Sequence, residues 1–193
     1  MPLGAARCGL LGGVADLGKL ELIETQTFST SVAQIDFTSI QESTYNVHLL
    51  TGTVIFGSGN ADLLSMRFFE SGVLETASVY QIATQLGTAG GYFTETKSTG
   101  IGDLYFGESS IEPQSFYCYI YNAGDSSKYT FTTMQSLTGT NPSGGTNELL
   151  FRFGSGVLPQ TSTVDGIRLF GRIYGANISE DFDVSLYGIK EYS

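Results

Sequence analysis

Residues 115–125 read Ser115-Phe116-Tyr117-Cys118-Tyr119-Ile120-Tyr121-Asn122-Ala123-Gly124-Asp125, and this stretch decides the fold. Phe116, Cys118 and Ile120 alternate with Tyr117, Tyr119 and Tyr121. Successive side chains of an extended chain point to opposite sides of a sheet, so a period of two predicts a strand with one buried face. Asn122 and Gly124 then supply the residues that tolerate positive φ where a chain reverses.

The same period recurs on both sides of this segment. Ala33, Ile35 and Phe37 alternate with Gln34 and Asp36; Tyr45, Val47 and Leu49 alternate with Asn46 and His48; Leu64, Met66 and Phe68 alternate with Ser65 and Arg67. Further strand-like runs cover 129–134, 148–153, 167–174 and 182–189. Turn chemistry separates them at Gly57-Ser58-Gly59-Asn60, Gly87 to Gly91, Ser98 to Asp103 and Asn141 to Gly145. Eight or more strands without a long amphipathic helix predict an all-β fold, an antiparallel β-sandwich that is jelly-roll-like. A parallel β-helix is the rival, but the chain has no fixed-period repeat.

Composition bounds the function. The 193 residues suit one domain, and 41% hydrophobic residues are too many for a disordered chain. Nine Lys and Arg against 19 Asp and Glu give a net charge of −10. The basic residues stand singly along the chain, whereas a phosphate-binding groove needs them clustered, so no nucleic acid is expected. No segment approaches ~18 consecutive apolar residues, so no membrane span is expected, and the protein is expected to be made in the cytoplasm.

The first 19 residues read differently from the β-sandwich domain at 20–193. Pro2, Gly4, Gly9, Gly12, Gly13 and Gly18 interrupt regular structure, yet Leu3, Leu10, Leu11, Val14 and Leu17 are too apolar for a free tail. A terminus of this kind needs something to hold it. The segment is read as an extended N-terminal arm, with Pro2, Leu3, Arg7, Leu10, Leu11, Val14 and Leu17 as protein-contact residues. Packing on its own sandwich is the alternative.

Chemistry-bearing residues are few. His48 is the only histidine and sits at an alternate strand position without a nucleophile motif, so it reads as structural or surface. Cys118 reads as a small core residue, and Cys8 lies in the glycine-rich arm. Glu180, Asp181 and Asp183 form the densest acidic cluster but lack a calcium-loop pattern, and Asp103, Glu108 and Glu112 read as surface charges. Gly57-x-Gly59 does not continue as a dinucleotide-binding fingerprint. No catalytic residue, metal or cofactor is expected. The Tyr117, Tyr119, Tyr121 stripe suits stacking on sugars, a protein interface, or a half-buried sheet face.

Two stretches carry a resemblance. Ile35-Asp36-Phe37-Thr38-Ser39-Ile40, followed by Thr44-Tyr45-Asn46-Val47-His48-Leu49, resembles the opening strands of β-sandwich virion structural proteins of marine tailed bacteriophages. Phe182 to Lys190 resembles their closing strand, with Ser185-Leu186-Tyr187-Gly188-Ile189 as its "SLYGI" signature, and Met1 to Arg7 is similar to the start of such proteins. The resemblance implies a non-enzymatic virion component, a capsid decoration or cement protein that stabilises the head through arm and strand-edge contacts with the major capsid protein and other copies of itself, as a homo-oligomer. A tail-fibre or spike module binding host-surface glycan is the alternative; the absence of coiled-coil heptads and of a long shaft tilts the choice to the head.

Overall fold

The structure, a computed structural model, describes residues 19–56, 62–107, 112–140, 148–179 and 182–190. Its strands are β1 (Leu20–Thr27), β2 (Gln34–Phe37), β3 (Val47–Val54), β4 (Leu64–Glu70), β5 (Val73–Leu74), β6 (Tyr80–Thr88), β7 (Phe93–Ile101), β8 (Leu104–Tyr105), β9 (Gln114–Tyr121), β10 (Thr130–Thr140), β11 (Glu148–Leu158), β12 (Val164–Gly171) and β13 (Asp183–Ile189). All named strand pairs are antiparallel.

An eight-stranded sheet has the order β1-β13-β3-β9-β10-β11-β6-β7, and a second sheet runs β2-β12-β4-β5, with β8 also paired to β4. Setting aside β5 to β7 and β10–β11 leaves eight strands. In chain order these form one sheet of the first, eighth, third and sixth (β1-β13-β3-β9) and another of the second, seventh, fourth and fifth (β2-β12-β4-β8). That order is the double Greek key of a jelly roll. Of the inserted strands, β10, β11, β6 and β7 extend the first sheet beyond β9, and the two-residue β5 adds only an edge to the second. The molecule is therefore a jelly roll with one enlarged sheet.

The core lies between the sheets. Ile35 and Phe37 of β2, Met66 and Phe68 of β4, and Ile167 and Leu169 of β12 meet Leu50, Cys118, Ile120, Val184 and Leu186 from the large sheet. Tyr80 is fully buried there with its hydroxyl satisfied: it accepts from the Phe68 amide (3.0 Å) and donates to the Glu75 carbonyl (3.3 Å). Burial holds its phenol far above the ordinary value. The turn after β9 uses Asn122 at φ 65°, as the sequence reading of 122–125 requires. The reading of Ser98 to Asp103 as one turn is corrected: β7 continues to Ile101, and only Gly102 and Asp103 turn.

Candidate interaction surface

The outer face of the eight-stranded sheet is built in rows set by strand register. One row runs Leu20, Ile189, Val47, Tyr121, Phe131, Val157 and Gln81 from β1 to β6. The next runs Leu22, Tyr187, Leu49, Tyr119, Thr133, Ser155 and Ala83. A third holds Thr25, Ser185, Thr51, Tyr117, Gln135, Phe153 and Gln85, and a fourth holds Thr53, Ser115, Leu137, Phe151, Gly87 and Phe93. None of these side chains is charged. Charge appears only at the margins, at Asp183 on β13 and at Glu95 and Lys97 on β7.

Much of this face is open to solvent: Leu22 is 58% exposed, Phe131 46%, Phe153 44% and Tyr117 42%. Its aromatic rings are in mutual contact. Tyr117 meets Tyr119 edge-on at 6.1 Å, and Tyr119 stacks on Tyr121 at 6.4 Å. Phe151 stacks on Phe153 at 6.1 Å, meets Phe93 edge-on and lies over Gly87, where a Cβ would strike its ring.

In β10 and β11 the usual polarity is turned inside out. The inward side chains of β10 include Thr130, Thr132, Ser136 and Thr138, while Phe131 and Leu137 face out. Arg152 and Gly156 of β11 face in, with Leu149 and Phe153 exposed. The inward polar groups are largely bonded: Ser136 donates to the Phe106 carbonyl, and Arg152 donates to Thr84 Oγ1 at 2.7 Å. Such strands bury polar groups at the cost of compensating bonds while presenting phenylalanine to water. Contiguous exposed aromatic side chains of this kind are what protein-binding surfaces are built from.

The outer face of the smaller sheet is the opposite case. Arg168 on β12 makes a bidentate pair with Asp36 on β2, at 2.7 and 2.6 Å, and its guanidinium also lies over the Phe69 ring. The Asp36 carboxylate holds Arg168 above its ordinary pKa. Asp103 takes Arg172 at 2.8 Å and Arg67 at 3.9 Å, and Arg172 and Arg152 both stack on Tyr105. Asp103 is buried, correcting its reading as a surface charge. Cations scattered in sequence thus converge in space, around a carboxylate and an aromatic ring.

The remaining sequence candidates fall as follows. Cys118 is a buried free thiol whose pKa burial pushes far up, so it is a core residue as read. His48 is fully buried and points inward, so the side of β3 that faces solvent is that of Val47 and Leu49. Its Nε2 donates to the Ile40 carbonyl at 2.8 Å, and desolvation lowers its pKa. Asp183 is exposed at the start of β13, and Glu112 is partly buried. Among the described residues no group of three or more His, Cys, Asp or Glu is placed to hold a metal. The arm residues Pro2, Leu3, Arg7, Leu10, Leu11, Val14 and Leu17 lie outside the described residues, as do Cys8, Glu108, Glu180 and Asp181.

Sequence reading found the tyrosine stripe but not its extension through Leu20, Leu49, Phe131, Phe151, Phe153 and Tyr187. One signal was present: Leu149-Leu150-Phe151 is apolar on both strand faces. Beside the register shift in the β6–β7 pairing between Tyr80 and Ile82, the face forms a groove of about 650 Å³, lined by Phe131, Val157, Gln81, Lys97, Ser98 and Thr99 among others. No protein-family model matches this chain, and no curated protein matches it.

Proposed function

We propose that this chain is a non-enzymatic virion structural protein of a tailed bacteriophage, a capsid decoration or cement protein that works by packing against other protein subunits. The observation that carries the reading is the contrast between its two outer faces. One is charged and closed by ion pairs; the other is broad, uncharged and aromatic, the composition of a protein-binding surface. The jelly roll is a fold used by viral capsid domains, which supports the role by fold analogy alone. The resemblance carried by residues 35–49 and 182–190 points the same way.

Contacts to several neighbours add through effective concentration, so modest contacts repeated over a shell can resist internal pressure. The arm at 1–19 is one such contact. Pairing through strand edges is less favoured, because β1 carries Glu21 and Glu24 and β7 carries Glu95 and Lys97, and edge charges discourage added strands. An acidic remainder, with −10 overall, keeps a coated particle from associating with others. Cryo-electron microscopy of purified particles tests the reading: density for this fold on the head supports it, and a chain missing from the head overturns it.

The second reading, a tail-fibre or spike module for host-surface glycan, is favoured by the groove beside β7. Phe131 offers a platform for a sugar ring, and Gln81, Ser98 and Thr99 offer amide and hydroxyl partners. Density on the tail, with binding to a glycan array lost in Phe131→Ala, would select it.

A further inference from the structure

We propose that the outer face of the eight-stranded sheet is where copies of this chain pack on one another, face to face. This deepens the homo-oligomeric part of the reading above and rests on it, but its test in solution is separate from location on a particle.

Size is the first argument. Seven strands about 4.8 Å apart and four rows about 6.8 Å apart give a patch of roughly 34 by 27 Å, or ~900 Å². A standard-size interface takes about 800 Å² from each partner. The patch is therefore sufficient for a stable dimer without help from another surface.

Charge selects the partner. A copy of this chain carries −10, so two copies repel least across a contact that brings no further like charges together. The four rows are that place, with Glu95, Lys97 and Asp183 left at the rim. A partner of different chemistry, such as a basic protein, would be matched by acidic groups within the patch, and the patch has none. Interfaces between identical subunits are the more apolar kind and are depleted of charge at their centre.

The inverted strands supply the third argument. Phe131, Leu137 and Phe153 face out while Thr130, Thr132 and Thr138 of β10 face in. A covering that is always present in matching amount suits a surface built this way, and another copy of the same chain is such a covering. A two-fold arrangement lets the patch serve as both halves. Two pleated sheet faces pack about 10 Å apart, as the layers of a sandwich do, with Tyr119 and its neighbours meeting their counterparts.

The test is the mass of the full chain in solution by sedimentation, from 1 to 200 μM, with Leu49→Asp and Phe153→Asp as separate variants and Val73→Asp on β5 as the control. The expected result is a wild-type oligomer, weakened at least a hundredfold by either face variant and unaffected by the control. Hydroxyl-radical footprinting of the wild type gives a readout that needs no variant: Tyr117 and Tyr119 become protected as concentration rises, and Tyr174, exposed elsewhere, does not. A wild type that stays monomeric to 200 μM overturns the proposal, as does an oligomer that survives both face variants. A monomer that associates only after removal of residues 1–18 also overturns it, and makes the chain's own arm the occupant of the face.

Discussion

The ring of Tyr45 occupies the space that a Cβ on Gly188 would need. Gly188 pairs with Glu21 on one side and His48 on the other, and the Tyr45 hydroxyl reaches across it to donate to Glu21 at 2.6 Å. That bond, with Lys19 beside it, holds the Glu21 carboxyl below its ordinary pKa. An aromatic ring over a strand glycine thus ties β1, β13 and the entry to β3 together. The two stretches that carry the virion resemblance are neighbours in space at this point.

Gly188→Ala is expected to destabilise the fold by about 1–3 kcal/mol, the range for overpacking. The clash falls on Cγ and Cδ atoms near the tyrosine backbone, so a small rotation does not relieve it. Urea unfolding measures the loss. A double-mutant cycle with Tyr45→Ala is expected to show strong coupling, because the alanine has room once the ring is gone. Additive effects would contradict the packing described.

His48 makes stability depend on pH. Its folded pKa lies below the ordinary 6.5, mainly through desolvation and against the opposing pulls of the Ile40 carbonyl and Glu42. As pH falls, the unfolded chain therefore takes up the proton first. Stability is full above pH 6.5 and declines below it, by up to ~1.4 kcal/mol per pH unit, until the folded-state pKa is reached. Asp125, held at about 2 by Lys128 and Ser127, loses its contribution only as pH falls from 3.8 toward that value. The window from 6.5 to 5 therefore reports His48. Urea midpoints across it should slope for the wild type and flatten in His48→Gln.

Asp62 organises the segment after β12. Its buried carboxylate accepts backbone N–H bonds from Leu63 (2.7 Å), Ile173 (2.6 Å), Tyr174 (3.1 Å) and Ala176 (3.1 Å). Asp62→Asn turns one acceptor oxygen into a donor facing donors. The expected cost is about 1–3 kcal/mol, with faster hydrogen exchange at the Ile173, Tyr174 and Ala176 amides. Unchanged exchange at these three would show that the carboxylate does not hold them.

The strand at 116–121 was legible because its two faces differ: Phe116, Cys118 and Ile120 are buried, and the other face carries Tyr117, Tyr119 and Tyr121, each with a polar hydroxyl. β3 was harder for a physical reason. Alternation separates two faces but does not say which meets the other sheet, and Val47 and Leu49 are as apolar as a core face while His48 and Leu50 form the actual one. The rows of the outer face were not legible. Tyr117 neighbours Thr51 and Gln135 in register, and pairing across such sequence distances has no local signature. The same holds for the strand order that makes the fold a jelly roll.

Glycines inside the strands test the packing most finely. A Cβ on Gly154 would strike the Ala83 carbonyl and come within 2.6 Å of Thr84 Cα, and both are backbone atoms of the paired strand β6. Backbone cannot rotate away, so Gly154→Ala must push β6 and with it β7 from the sheet. A Cβ on Gly139 meets nothing closer than 3.7 Å. Gly139→Ala is therefore expected to be neutral or to stabilise by about 0.5 kcal/mol through lost freedom of the unfolded chain. Gly188→Ala, whose clash is with a side chain, should fall between them, and Gly154→Ala should cost ~3 kcal/mol or more. Thermal unfolding of the three variants ranks them directly. If Gly154→Ala proved as mild as Gly139→Ala, the β11–β6 pairing that widens the large sheet would have to be abandoned, and the broad outer face with it.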